Sequence, residues 1–413
     1  MRDSYTYLIV GAGTAGHFAA ESIRKHDPDG CIAIIGNEPH RPYHRPPLSK
    51  GVLTGKVNPM AVYLKKSDFY ERNQIDVFTD VLAESLDIDK KTVVLTDGRK
   101  IGYSKLLLAT GGKARSVDLP GNELDGVYTL RTLEDSQAIL RAGEKSKHAC
   151  IVGAGFISAE VATSLWHSNV PCTILMRGEY LLQRVLPREL SVHLHKEAEE
   201  FGINIISCDS PAAFKGDRKL QKVITSTERE IDCDLAVIGI GLELNVGIAR
   251  KAGINVAKDE GILTDAYMRT SEKDVWAAGD ICSYEDKSFA RRMRVERTEN
   301  AKGQGIVAGA DMAGADVEPF SKIPIYTFHI FDLSIKVFGA FDTCDLLRVG
   351  TLEGRSAAYY SFRNGALEGY LGFNRPYKES KLVKQQIYDK ASKEEIIRSL
   401  EGLGENPVAV IPE

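Results

Sequence analysis

The chain has 413 residues, of which 43% are hydrophobic and 27% charged, and its formal net charge is −4 at pH 7. These values are ordinary for a soluble globular protein of two or three domains, and they give no reason to expect nucleic acid or an anionic membrane as a partner. No apolar run reaches the roughly 18 residues that a membrane helix needs. The first strand pattern leaves no room for a signal peptide, so we expect a cytoplasmic protein.

The cysteine pattern argues against thiol-redox and zinc chemistry. The seven cysteines give an odd count, and the smallest separation is 22 residues, between Cys150 and Cys172. That spacing excludes a C-x-x-C motif and any sequence-local zinc cluster. We therefore predict scattered, reduced thiols and no metal site.

The first strand pattern ends in a glycine-rich fingerprint. The apolar run from Tyr7 to Val10 is followed by Gly11, Gly13 and Gly16 in G-x-G-x-x-G spacing, and a helical pattern comes next. Gly11 allows the tight turn, Gly13 lets the backbone approach a pyrophosphate, and Gly16 lets the helix pack on the strand. The N–H groups at the helix N-terminus then face the phosphates.

A second apolar run completes the unit. Ile32 to Ile35 forms this run, and Asn37 and Glu38 follow at its tip. Glu38 lies 22 residues past Gly16, close to the roughly 20-residue offset expected for an acid that binds a ribose hydroxyl. The order of strand, helix, strand and acid predicts dinucleotide binding rather than an incidental glycine-rich turn. It does not decide which dinucleotide.

The segment from Arg41 to Lys50 is basic, aromatic and rich in proline. Prolines disfavour regular helix and ladder pairing, so the segment predicts an ordered loop. It either holds a planar cofactor or is only a rigid surface loop. Further on, Asp97-Gly98 between extended runs predicts a hairpin, and a buried strand, Leu106 to Ala109, leads into Thr110 and Gly111.

The chain then repeats this order of elements. Ala149 to Val152 reads as a strand, Gly153 and Gly155 begin a second fingerprint, and Ser158 stands where the third glycine is expected. The repeat ends in a strand that leads into Gly239. Two dinucleotide domains predict two dinucleotides, and the alternative is one binding site with a degenerate copy.

The second unit also carries a clue to its ligand. Met176 and Arg177 lie at the tip of its second strand, where an acid is expected for NAD, and Arg184 follows. Arginine can bind a 2′-phosphate through bidentate, charge-assisted hydrogen bonds, which favours NADPH. The alternative is that both are solvated surface arginines and either cofactor is accepted.

A second cluster of arginines lies between a strand that ends in Gly279-Asp280 and a helix. The region from Ser288 to Gly305 reads as a loop followed by this helix, and it contains Arg291, Arg292, Arg294 and Arg297. The cluster is either a docking patch for an acidic electron carrier or cofactor-side structure with a solvated face.

The pattern changes to extended runs at Pro324. These runs continue to about Leu371, with a hairpin signal at Asn364-Gly365, and two helical patterns follow, Ser380 to Tyr388 and Lys393 to Leu400. They predict a third, smaller antiparallel α+β domain.

Over nearly its whole length the chain resembles the FAD-dependent NAD(P)H reductases that serve ferredoxins and rubredoxins. This group shares the pyridine nucleotide-disulfide oxidoreductase fold with monodehydroascorbate reductase and apoptosis-inducing factor. The motifs that carry the resemblance are the first fingerprint, Arg45-Pro-Pro-Leu-Ser-Lys50, Ala109-Thr110-Gly111, Leu130-Arg131-Thr132-Leu133, Gly153-x-Gly155-Phe-Ile, Trp276-Ala-Ala-Gly279-Asp280 and Arg294-Val-Glu296.

The resemblance implies an α/β fold with two tandem Rossmann-like domains, as in glutathione reductase, and a small C-terminal α+β domain. The implied boundaries are residues 1–111 with 242–320 for FAD, 112–241 for NAD(P)H and 321–413 for the C-terminal domain. Lys50 and Glu160 match a pair beside the flavin ring and are the implied catalytic residues. With Arg177 and Arg184, which are predicted from their position after the second strand and not from the resemblance, the predicted cofactor-binding residues, which include Lys50 and Glu160, are Gly11, Gly13, Thr14, Ala15, Gly16, Asn37, Glu38, Arg45, Val81, Ala109, Thr110, Gly111, Arg131, Gly153, Gly155, Phe156, Ile157, Arg177, Arg184, Gly239, Gly279, Asp280 and Thr298.

The implied reaction is hydride transfer from NAD(P)H to FAD, followed by electron transfer to an external acceptor. Arg177 and Arg184 slightly favour NADPH as the donor. A small iron–sulfur carrier docking near Arg291, Arg292 and Arg294 is the expected partner. One alternative is direct reduction of a small acceptor, such as a quinone, monodehydroascorbate or oxygen. Another is a redox-signalling role. The chain departs from the family at Thr327-Phe328-His329, where Trp-Ser-Asp is usual. A monomer and a homodimer are both open.

Overall fold

The computed structural model describes residues 2–376 and 379–410. The chain divides into two units, which are described separately. The first unit comprises Met1–His44, Met60–Lys113 and Glu243–Pro324, and the second comprises Arg45–Pro59, Ala114–Leu242 and Ile325–Glu413.

The strands of the described residues, in chain order, are β1 (Ser4–Val10), β2 (Ile32–Ile35), β3 (Ile75–Phe78), β4 (Ala83–Asp87), β5 (Thr92–Leu95), β6 (Lys100–Leu108), β7 (Gly112–Ala114), β8 (Val127–Thr129), β9 (Ala149–Val152), β10 (Cys172–Leu175), β11 (Asn204–Ile206), β12 (Pro211–Lys215), β13 (Lys222–Thr225), β14 (Glu230–Asp232), β15 (Leu235–Ile238), β16 (Leu242–Leu244), β17 (Ile262–Thr264), β18 (Val275–Ala277), β19 (Cys282–Asp286), β20 (Arg291–Met293), β21 (Ile325–Ile330), β22 (Leu333–Gly339), β23 (Leu346–Thr351), β24 (Ser356–Arg363), β25 (Ala366–Phe373) and β26 (Val408–Val410). The α-helices are α1 (Thr14–His26), α2 (Phe69–Arg72), α3 (Leu133–Gly143), α4 (Phe156–His167), α5 (Arg188–Glu200), α6 (Gly247–Lys251), α7 (Thr298–Met312), α8 (Glu379–Tyr388) and α9 (Lys393–Gly402).

The first unit is built on a seven-stranded sheet in the order β3-β2-β1-β6-β5-β4, with β18 paired to β6. The strands β1, β2, β3, β6 and β18 run parallel, and the hairpin β4–β5 adds two antiparallel strands at the β6 side. The apolar runs of β1 and β2 are fully buried, as expected for parallel strands that are covered on both faces. Helices α1 and α7 supply alanines such as Ala19 and Ala308 to the same core.

The second unit contains a five-stranded parallel sheet in the order β11-β10-β9-β15-β8. The chain between β11 and β15 forms the antiparallel sheet β12-β13-β14. The C-terminal part folds into a six-stranded antiparallel sheet in the order β21-β22-β25-β24-β23-β26, with α8 and α9 following β25. The predicted α/β class, with two tandem nucleotide-binding sheets and a C-terminal α+β part, is confirmed. The three-domain division stays a prediction.

Three local expectations are wrong. The segment before Lys50 is not only a loop, because Pro46–Ser49 forms a 3₁₀ helix; proline is tolerated in a first helical turn, where its missing N–H has no partner to lose. The extended run after Asp97-Gly98 and the predicted strand that begins at Leu106 are one continuous strand, β6. Arg291–Met293, expected in a loop, forms β20, which pairs antiparallel with β19.

No helix of the described part of the chain is long and apolar enough to cross a membrane.

Candidate active site

In the first unit, the sequence-predicted cofactor residues lie at one edge of the seven-stranded sheet. Its five parallel strands all end there, and the carboxyl edge of a parallel sheet is where such folds bind ligands. The residues that follow these strand ends are Gly11 after β1, Asn37 and Glu38 after β2, Val81 after β3, Ala109, Thr110 and Gly111 after β6, and Gly279 and Asp280 after β18.

The three glycines of the first fingerprint have different surroundings. Gly11 has a φ of +125°, and a Cβ there would overlap the carbonyl oxygen of Ala109. A Cβ on Gly16 would overlap the carbonyl oxygen of Gly11, so both positions need glycine for close approach. A Cβ on Gly13 would meet nothing within 4 Å, which leaves open space beside the first turn of α1.

The N-terminus of α1 is not capped by any side chain in the described part of the chain. Gly13 is its N-cap residue, no side chain caps the helix, and its first turn, which includes Thr14 and Ala15, contains no acidic residue. Free N–H groups and a positive dipole therefore face the open space at Gly13. This cradle fits the pyrophosphate of a dinucleotide such as FAD.

Glu38, which follows β2, is oriented by a hydrogen bond from another residue of the first unit. The hydroxyl of Tyr43 donates a hydrogen bond of 2.5 Å to Glu38 Oε2. The backbone N–H of Val81 donates to Gly36 O at 2.9 Å, which brings the predicted contact residue Val81 beside the same strand end. Asn37 is exposed between them.

Two residues at this edge were missed by sequence reasoning. The Thr110 hydroxyl donates to Asn245 O at 2.7 Å, and the Asn245 amide donates to Thr110 O at 3.0 Å. The N–H of Gly279 donates to Gln304 Oε1 at 2.8 Å. Thr298 is the first residue of α7, the helix that carries Gln304. These partners lie too far away in sequence for a motif to reveal them.

The second unit repeats the arrangement at the carboxyl edge of its parallel sheet. Gly153 has a φ of +120°, and a Cβ on Gly155 would meet nothing within 4 Å. Helix α4 begins after Gly155 with no side-chain cap and no acid in its first turn. Ser158, in place of the third glycine, donates a hydrogen bond of 3.0 Å to Gly239 O. The substitution therefore joins the fingerprint to the end of β15 and leaves the cradle open.

Two further predicted residues lie on the first turn of α4. The Phe156 ring packs edge-on against Phe328 and Tyr326 of β21, with centroid distances of 4.6 and 5.5 Å. The adjacent Ile157 is 41% exposed, which is unusual for a large apolar side chain. Phe156 therefore anchors the helix, and Ile157 remains available for a ligand.

The arginines after β10 lie on a loop with defined hydrogen bonds. The side-chain oxygen of Gln183 accepts from the N–H groups of Glu179 and Tyr180 at 2.9 and 2.8 Å. Arg177 and Arg184 are exposed on this loop, whereas Met176 is buried. The position expected to hold an acid for NAD is thus occupied by a buried apolar side chain.

Lys50 and Glu160 meet, as the resemblance implied. Lys50 Nζ lies 3.1 Å from Glu160 Oε1. The hydroxyl of Ser49 donates a hydrogen bond of 2.5 Å to the other carboxylate oxygen, Oε2. The Glu160 side chain is 11% exposed and the Lys50 side chain 39% exposed, so the carboxylate is enclosed while the ammonium group reaches solvent.

The turn that carries Lys50 is fastened by further hydrogen bonds. Arg45 Nη1 donates to Arg131 O at 2.6 Å, at the end of β8. Ser136 donates to Leu48 O at 2.6 Å, and Ser164 donates to Ser49 O at 2.7 Å. The predicted residues Arg45 and Arg131 are therefore brought together with Lys50.

The departure at Thr327-Phe328-His329 falls on β21. Phe328 is buried against Phe156, and Thr327 and His329 are exposed. Partial loss of hydration lowers the pKa of His329, and the positive charge of Lys50 lowers it further, against the opposing effect of Glu160. The charges of both Lys50 and Glu160 therefore act on the His329 imidazole.

The arginine cluster of the first unit is engaged in ion pairs. Arg292 donates to Thr264 O at 2.9 Å and to Glu285 Oε1 at 3.0 Å. Arg294 pairs with Glu296 and lies 3.9 Å from Asp259. The cluster therefore supports its own sheet, and its exposed member is Arg292.

All seven cysteines are unpaired, and the described residues contain no group of three or more His, Cys, Asp or Glu side chains that could hold a metal ion.

The chain was compared with known proteins. The model of the pyridine nucleotide-disulphide oxidoreductase family matches residues 5–305. The chain is 32% identical over 369 residues to the ferredoxin reductase component of chlorobenzene dioxygenase from Cupriavidus sp. strain PS12, covering 89% of each protein. It is 33% identical over 373 residues to the 3-phenylpropionate/cinnamic acid dioxygenase ferredoxin–NAD(+) reductase component of Photorhabdus laumondii, covering 90% of this chain and 93% of that protein.

A solved structure agrees with these relatives. The covalent putidaredoxin reductase–putidaredoxin complex matches with a TM-score of 0.88 and 28% identity, covering 94% of each chain. The predicted resemblance and the predicted oxidoreductase class are confirmed. The chain belongs to the pyridine nucleotide-disulphide oxidoreductase family.

Proposed function

We propose that this chain is an FAD-dependent NAD(P)H reductase that passes electrons to a small iron–sulfur protein of the ferredoxin or rubredoxin type. The observation that carries the proposal is the presence of two open fingerprints, at Gly13 and Gly155, each beside an uncapped helix N-terminus. Bound FAD would supply the hydride acceptor, and the protein supplies binding, orientation and electrostatics.

The residues of the first unit bind the adenosine and pyrophosphate parts of FAD in this proposal. The cradle at Gly13 takes the pyrophosphate, and Glu38, oriented by Tyr43, takes the ribose hydroxyls. We assign residues 1–111 with 242–320 to FAD binding, 112–241 to NAD(P)H binding and 321–413 to the C-terminal domain.

The residues of the second unit bind the nicotinamide nucleotide and adjust the charge at the flavin. The open fingerprint at Gly155 takes the pyrophosphate of NAD(P)H. Lys50 directs its ammonium group at negative charge that develops on the ring, and Glu160 holds the lysine in place. An ion pair that is enclosed on its carboxylate side and open on its ammonium side suits this role.

The acceptor is proposed from the relatives and from charge. The relatives reported above are named as ferredoxin reductases, and the solved complex pairs a reductase with putidaredoxin. Arg291, Arg292 and Arg294 provide positive charge where an acidic carrier docks, and Arg292, which is paired with Glu285, is the exposed residue of the three.

Reduction of cytochrome c with NADPH, measured with and without an added [2Fe–2S] ferredoxin, tests this acceptor. We expect turnover to depend on the ferredoxin, because the ferredoxin relays single electrons from the reduced enzyme. Equal turnover without it, or faster turnover with a quinone or oxygen alone, would favour the second candidate, direct reduction of a small acceptor. The substitution of Thr327-Phe328-His329 for the usual residues is the observation behind that candidate.

The preference for NADPH rests on Arg177 and Arg184. Because Met176 and Arg177 directly follow β10 and Arg177 is exposed there, we expect Arg177→Glu to lower kcat/KM for NADPH about tenfold relative to that for NADH. The measurement is initial-rate kinetics with both nucleotides. Arg141→Glu is the matched control, since Arg141 is also exposed in the second unit but lines a pocket with Ser146 and Asp234, at the opposite edge of the sheet.

If the ratio of kcat/KM for NADPH to that for NADH is unchanged in Arg177→Glu, this arginine does not bind the 2′-phosphate. The two bacterial relatives reported above include one named for NAD(+), so the wild-type ratio is measured first.

A further inference from the structure

Ser49 holds the same carboxylate as Lys50, from the opposite side. Its hydroxyl donates to Glu160 Oε2 at 2.5 Å, while Lys50 Nζ lies 3.1 Å from Oε1. Ser49 is 4% exposed, so water does not replace this hydrogen bond easily. Two adjacent residues therefore fix both oxygens of one carboxylate, and the carboxylate cannot rotate without losing a partner.

The backbone of this turn is fastened independently of that bond. Ser136 donates to Leu48 O at 2.6 Å, and Ser164 donates to Ser49 O at 2.7 Å. Both hydroxyls are buried, and both bonds end on main-chain carbonyl oxygens. The position of the turn therefore does not depend on the Ser49 hydroxyl, which leaves that hydroxyl to act on Glu160.

We propose that Ser49 is a positioning residue that keeps one oxygen of Glu160 away from Lys50, so that the ammonium charge remains directed outward and available to the flavin. This inference rests on the proposed function. Without the Ser49 hydroxyl, Glu160 Oε2 loses its donor in an enclosed site, and turning both oxygens toward Lys50 is the way to recover one. The lysine charge is then more fully neutralised and less effective at the ring.

The test compares Ser49→Ala with Ser136→Ala in the FAD-loaded protein. Each variant removes one buried hydroxyl that bonds to the same short region, but only Ser49 contacts Glu160. We expect Ser49→Ala to slow flavin reduction by NADPH about tenfold, which corresponds to the loss of one hydrogen bond to a charged group. We also expect its flavin midpoint potential to become more negative, because reduced flavin is less stabilised. Ser136→Ala should keep both values near wild type, because the bond from Ser164 to Ser49 O still fastens the turn and the bond from Ser49 to Glu160 is intact.

Photochemical reduction with a redox dye measures the potential without any nicotinamide nucleotide. The proposal is supported if the midpoint potential becomes more negative in Ser49→Ala, does not change in Ser136→Ala and stays at the wild-type value in Ser49→Thr, which keeps a hydroxyl. Equal changes in the two alanine variants would show that Ser49 only supports the turn, and an unchanged potential in Ser49→Ala would also overturn the proposal. Failure of NADPH and NADH to reduce the wild type would instead contradict the proposed function, while the photochemical potential would still report on Ser49.

Discussion

Replacing Lys50 with methionine is expected to slow the reduction of bound FAD by NADPH about 100-fold. Methionine keeps the length of the side chain and removes the charge that lies 3.1 Å from Glu160. The enclosed carboxylate then keeps its hydrogen bond from the Ser49 hydroxyl, and the Lys50 cation no longer opposes negative charge on the ring. Stopped-flow absorbance under anaerobic conditions measures the rate constant directly.

Lys56→Met provides the matched control for this prediction. Lys56 is exposed on the same short segment of the second unit, and its replacement should leave the rate near wild type. Glu160→Gln should fall between the two, because glutamine keeps the shape but not the charge that holds Lys50. If the rate constant of flavin reduction in Lys50→Met is within twofold of wild type, Lys50 does not assist hydride transfer. The Lys50–Glu160 pair is then an ordinary ion pair.

Replacing Gly13 with valine is expected to weaken FAD binding at least about 100-fold, or ~2.7 kcal/mol, without unfolding the protein. Gly13 has a φ of −88° and a ψ of −169°, values that valine adopts readily, and an added Cβ meets no protein atom within 4 Å. The new Cβ therefore enters the space assigned to the pyrophosphate. Flavin fluorescence during titration of the apoprotein gives the Kd.

Two other glycines make the comparison sharper. Gly11→Val should lower the thermal stability of the apoprotein, since Gly11 has a φ of +125° and no room for a Cβ. Gly155→Val should keep FAD and raise the KM for NADPH, because its open space belongs to the second fingerprint. Wild-type FAD affinity in Gly13→Val would mean that the first cradle does not hold this cofactor.

The fold was predictable where the chemistry is local to the chain. The apolar runs of β2 and β9 were predicted with their observed bounds, because parallel strands that are buried on both faces read as continuous apolar stretches. The glycine spacing located both cradles, since the turn geometry requires glycine at Gly11 and Gly153 whatever lies around them.

The partners that complete the site were not predictable in the same way. Asn245 lies 135 residues from Thr110, and Glu160 lies 111 residues from Ser49, so only the folded chain shows these contacts. The 3₁₀ helix at Pro46–Ser49 is hard to predict because prolines disfavour helix in general, although a first turn accepts them. The strand β20 was missed because three polar or flexible residues at a sheet edge carry no period-two signal.

Anaerobic mixing of the FAD-loaded protein with NADH and with NADPH, followed by flavin absorbance, tests the central claim most directly. The claim is that two dinucleotide cradles and the Lys50–Glu160 pair make this chain a nicotinamide-dependent flavin reductase. We expect the flavin absorbance to bleach fully with one equivalent of either nucleotide, and faster with NADPH. Flavin that stays oxidised with both nucleotides, while photochemical reduction still bleaches it, would contradict the account.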